Sequence, residues 1–139
     1  MATILFSLVD AETLAGLRFE VDYSGADGEF VGEGDGVQCM SLIMGVPIID
    51  AYLDNDATRL LSVAVATAEQ FSGPGDVVAC AFQGAPPDAR DFLVTVLEAT
   101  RPDLVDVDVT VVPGLPPLLL PDGLGRGASR ALPTVEERW

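Results

Sequence analysis

Asp54, Asn55 and Asp56 set three oxygen-bearing side chains in succession, the donor chemistry of a calcium site. Calcium takes about six to eight oxygens, and the chain has neither the central glycine nor the closing glutamate of an EF-hand loop at this point. The same three residues suit a tight turn, because Asp and Asn bond their own backbone and tolerate left-handed conformations. A hairpin turn and a weak calcium site are therefore both open readings. Glu29, Glu33 and Asp35 make a second acidic cluster, spaced by glycines as in an exposed loop. Asp106 and Asp108 would project from one strand face about 7 Å apart, near the carboxylate separation of an inverting glycosidase. With no aromatic platform or apolar wall beside them, they read better as charges that keep a sheet edge from pairing. The chain contains no histidine, so the usual general base near neutral pH and the commonest zinc ligand are both missing. The expectation is a non-catalytic protein without a cofactor, calcium aside.

Two further residue classes bear on function. Sugar-binding faces are usually flat and aromatic; here Tyr23 and Phe82 fit a core, while Tyr52 and Phe71 sit beside turns and are the candidate ligand contacts. Trp139 falls in the tail. Cys39 and Cys80 lie 41 positions apart, too far for a redox pair and too few for a metal site. They read as a disulfide or as two buried thiols. A bridge closing a loop of that length would add about 4 kcal/mol on the chain-entropy account. It would also point to an exported protein.

The elements that must position these residues are strands. Leu17, Phe19, Val21 and Tyr23 alternate with polar residues and share one face. The same two-residue beat predicts strands over Ile4–Val9, Glu29–Val31, Val37–Ile43, Ile48–Leu53, Arg59–Ala66, Val77–Phe82 and Asp91–Ala99. A long ladder, Leu104 to Val112, is expected to close the fold. Ser24–Gly28, Asp54–Ala57 and Phe71–Asp76 are the expected turns and loops. Val94, Thr95 and Val96 favour strand over helix in the segment following Pro86 and Pro87. About eight or nine strands with regular turn signals predict an all-β, Ig-like or jelly-roll sandwich.

The β region, residues 1–112, holds 19 of the 22 acidic residues and four of the seven arginines; there is no lysine. The remaining residues, 113–139, are rich in proline and glycine and carry balanced charge, as a linker or tail would. A net charge of −15 repels phosphate backbones and anionic lipid, so neither nucleic acid nor membrane is an expected partner. No apolar run approaches the ~18 residues that span a bilayer. The first residues lack the basic segment and cleavage site of a signal peptide and read as a first strand.

Leu14-Ala15-Gly16-Leu17-Arg18-Phe19-Glu20-Val21-Asp22-Tyr23 resembles the small–Gly–hydrophobic step and tyrosine-ended strand of cohesin-like modules. Those modules share their architecture with some carbohydrate-binding modules. Gly73-Pro74-Gly75-Asp76-Val77-Val78-Ala79-Cys80-Ala81-Phe82 is similar to the family's turn-then-strand segment, and Arg59–Ala66 to its strand of small and apolar residues. The resemblance runs over roughly Ile4 to Val112. It implies a nine-stranded jelly roll, a bacterial secreted or cell-surface setting, and a protein partner, with a dockerin-like module as one candidate. A polysaccharide ligand and a structural stalk or filament subunit are the other expectations. A cytoplasmic location stays open.

Overall fold

The computed structural model describes residues 2–84 and 87–115. It is all-β, a sandwich of two antiparallel sheets. Nine strands follow in order: β1 (Ala2–Leu8), β2 (Thr13–Asp22), β3 (Gly28–Phe30), β4 (Cys39–Ser41), β5 (Ile48–Asn55), β6 (Leu60–Ser72), β7 (Gly75–Gly84), β8 (Leu93–Thr100) and β9 (Val111–Gly114). One sheet runs β3-β7-β1-β9, with β4 also paired to β7; the other runs β5-β6-β2-β8. One short 3-10 turn, Ala89–Asp91, precedes β8 and is capped by the Asp88 side chain.

Alternation explains the core. Ile4, Phe6 and Leu8 from β1 meet Leu17, Phe19 and Val21 from β2, with Leu61, Val63 and Val65 from β6. Phe30, Phe82 and Phe92 close one end with Tyr23, their rings mostly edge to face at centroid distances from 4.9 to 6.3 Å. Where β3 crosses β7 the backbones run too close for side chains. A Cβ on Gly28 would lie 2.3 Å from the Gln83 carbonyl oxygen, and Gly84 takes a positive φ of 123° beside it.

Three expectations need correction. The Leu104–Val112 ladder is not one strand. Asp106 makes an isolated bridge to Thr100, residues 107–110 are irregular, and β9 begins at Val111. The segment leaves the β8 edge of one sheet and joins β1 in the other, so no single ladder can hold it. The alternation survives only as a facing pattern, with Val107 and Val109 packed on the core and Asp106 and Asp108 exposed. Secondly, Pro113 belongs to β9, opposite Phe6. β9 is an edge strand, where a missing N–H can be tolerated on the solvent side. Thirdly, the Phe71–Asp76 loop shrinks to Gly73 and Pro74, joined by a cis peptide bond, because β6 and β7 extend to either side of it. Of the tail, residues 116–139, Trp139 among them, lie outside the described residues.

Candidate functional site

β5 is the strand that breaks the pattern. Its inward-facing positions are Ile48, Asp50, Tyr52 and Asp54, and its outward-facing ones are Ile49, Ala51, Leu53 and Asn55. Three polar residues, Asp50, Tyr52 and Asp54, thus share the core-side parity, Asp50 still exposed at the edge, while Ile49 at 78% and Leu53 at 54% exposure turn to solvent. Register places this stripe beside Ala66, Ala64 and Ser62 of β6, then Gly16, Arg18 and Glu20 of β2. Leu93 and Leu97 of β8 add exposed aliphatic side chains at the far side.

The result is a shallow trough over β6, floored by small residues and walled by larger ones. Two adjoining hollows of about 230 and 320 Å³ follow it and share Arg18, Ala51 and Ala64. Arg18 pairs with Glu98 at 3.2 Å on the exposed surface, a contact that steers and orients more than it stabilises. Asp35 and Glu20 line the second hollow, so the rim is acidic and the floor apolar. The chain has no histidine and no lysine, and both cysteines are in the disulfide.

At the end of β5 the acidic turn has a different character from the one expected. Asp54 is only 3% exposed. Its Oδ1 accepts from the Tyr23 hydroxyl at 2.7 Å, and the same hydroxyl lies 3.3 Å from an Asp56 oxygen. Oδ2 of Asp54 is buried with no partner. Burial first, and then the adjacent carboxyl of Asp56 and the charge of Glu29, push the Asp54 carboxyl up to about 6 against the opposing effect of the Tyr23 hydroxyl. Desolvation first, and then the bond to Asp54, raise the Tyr23 phenol well above its ordinary range.

Tyr23 is held from its other side. The Arg59 guanidinium stands 4.6 Å from its ring centre and donates to the carbonyls of Tyr23, Ala26 and Gly28. Arg59 itself takes a left-handed φ of 55° at the start of β6. Removing the hydroxyl with Tyr23→Phe leaves a buried carboxylate oxygen unpartnered. It is expected to lower stability by about 1 to 2 kcal/mol in urea unfolding at neutral pH; an unchanged midpoint would sink this assignment.

The positions proposed from sequence separate on this geometry. Asn55 closes the turn, its Oδ1 accepting from the backbone N–H groups of Ala57 and Thr58. It is thereby committed to the hairpin, while Asp54 and Asp56 meet around Tyr23. Among the described residues no group of three or more Asp, Glu, Cys or His is arranged to hold a metal ion. Tyr52 is half-buried on the inner side of β5, its hydroxyl donating to Asp50 at 2.8 Å. Burial and that bond raise the phenol above its usual range. Phe71 is buried. Cys39 and Cys80 lie directly opposite each other in β4 and β7 and are joined as a disulfide.

Sequence reasoning missed the outer stripe of β5. The signal was there in the parity of Ile49, Ala51 and Leu53 against Asp50 and Asp54, which marks a strand with its apolar side reversed relative to the buried carboxylate. Comparison with known protein families, with characterised proteins and with solved structures finds no match to this chain.

Proposed function

We propose that the protein is a non-catalytic binding module that recognises another protein through the outer face of the β5-β6-β2-β8 sheet. The observation that carries this reading is the reversed strand, with Ile49 and Leu53 exposed beside a floor of Ala51, Ala64, Ala66 and Gly16. An aliphatic trough with an acidic rim suits an apolar protein surface flanked by basic residues, which long-range charge would bring in quickly. Polysaccharide recognition has less support, because sugar rings stack on open aromatic faces and the large exposed hydrophobics among the described residues are all aliphatic. This is the mode of use expected from the cohesin-like resemblance. A cell-surface or secreted setting fits with the disulfide.

The test is capture from the secreted and envelope fractions of the source organism, with the native chain and an Ile49→Asp/Leu53→Asp variant as baits. A protein retained by the native chain and reduced about tenfold or more on the variant is the expected result, since loss of a central apolar anchor costs 2 kcal/mol or more. A protein held equally by both baits, or retention only on insoluble polysaccharide, overturns the reading. Circular dichroism of the variant keeps misfolding apart from lost binding.

A further inference from the structure

The outer edge of β5 is a strand-pairing site with one position already filled. Asp54 donates its N–H to the Gly34 carbonyl at 3.0 Å, and Gly34 donates back to Asp54 at 2.9 Å. Backbone groups in an antiparallel ladder point to alternate sides from one residue to the next. Those of Asp50 and Tyr52, of the same parity as Asp54, therefore face away from β6 as Asp54's do. Among the described residues nothing bonds to them. Gly34 acts as the first residue of an added strand whose next two places are open. The opposite edge of the same sheet, β8, carries a comparable single bridge, Thr100 to Asp106, so charge and not the open edge alone must favour β5.

We propose that this edge takes an extended segment of the protein partner, paired backbone to backbone at Asp50 and Tyr52 and built of alternating basic and apolar residues. The inference rests on the reading above for the existence of a protein partner. Charge selects the occupant. One side of the added strand would lie by Asp50; the other would continue the Ile49–Leu53 stripe, with Asp35 and Glu20 at its margin. A second copy of the chain fits badly. Antiparallel β5–β5 pairing centred on Tyr52 sets Asp50 opposite Asp54, between two molecules of net charge −15. Strand addition draws its affinity from main-chain bonds and its selectivity from alternate side chains.

The probe is a seven-residue peptide alternating valine and lysine. Amide hydrogen exchange is read by NMR on the native protein, with and without saturating peptide. The amides of Asp50 and Tyr52 are expected to slow by about tenfold or more, with that of Asp54 little changed. Two controls give it content: the valine–glutamate peptide, and the lysine peptide with alternate backbone nitrogens methylated. No slowing with the lysine peptide, or equal slowing with either control, overturns the proposal. Asp50→Pro removes one outward N–H without touching the β6 ladder and is expected to abolish the effect. If that variant fails to fold, the native Tyr52 amide still decides. An inert peptide alongside face-sensitive protein capture sinks the edge and leaves the trough reading standing; slowed amides with no face-sensitive capture do the reverse.

Discussion

Cys39→Ala/Cys80→Ala is expected to lower unfolding stability by about 4 kcal/mol, because the bridge removes a 41-residue loop from the freedom of the unfolded chain. For a domain of this size that is a fall in Tm of roughly 15 to 25 °C. The effect has a local side as well. β4 is three residues long and pairs only with β7, so the bridge is its one covalent hold on the sheet. Without it the stretch from Gly32 to Ile43 loses its anchor and opens at lower cost than the rest of the fold. Urea unfolding of the oxidised protein, the reduced protein and the double variant measures this. The reduced and alanine forms should agree, and the variant should not respond to reductant. A variant within about 1 kcal/mol of the oxidised protein would show that the bridge constrains nothing the unfolded chain uses.

Asp54→Asn is expected to stabilise the protein at pH 7 by about 2 kcal/mol, somewhat less than the full linkage value for a carboxyl raised from 3.8 to about 6. The sign follows from which form the fold prefers. A pKa raised by folding means that the native state binds its proton more tightly than the unfolded chain. The contribution is then fully present below pH 3.8 and is lost as pH rises through 6. Asparagine keeps the shape, accepts from Tyr23, and has no charge to desolvate. The difference between variant and native protein should accordingly shrink to near zero at pH 4. Urea midpoints for both proteins at pH 4, 5.5 and 7 read it directly. A constant difference across that range, or a native protein more stable than the variant at pH 7, would contradict the placement of Asp54. The comparison cancels the general self-repulsion of an acidic chain, which also eases in acid.

The fold was legible where one side chain decides one face. Leu17, Phe19, Val21 and Tyr23 are all buried as their alternation requires, and the Asp54–Ala57 turn joins two paired strands. Legibility failed where two partners far apart in sequence decide together. Nothing local to Asp54 tells that Tyr23, 31 residues earlier, supplies a hydroxyl that makes an inward carboxylate tolerable. Without that knowledge β5 reads as an ordinary strand, and its exposed stripe is missed with it. The closing ladder failed for a related reason. Val105, Val107, Val109 and Val111 keep their spacing, yet which sheet they serve changes partway, and periodicity has no term for a change of partner. Pro113 reads as the start of the tail because proline lacks a donor, a rule that weakens at an edge strand.

The pairing of β9 with β1 also sets how the domain would carry tension. Leu8 lies opposite Val111 and Leu5 opposite Gly114, so the start of β1 and the finish of β9 are at the same end of the pair. Pulling those two ends apart loads the short ladder like a zipper, one rung after another, where shear would load every rung together. Four residue pairs taken in turn resist little. A stalk that transmits force along its chain would profit from the opposite arrangement. A module that holds a partner on the outer face of its other sheet keeps that face clear of the zipper.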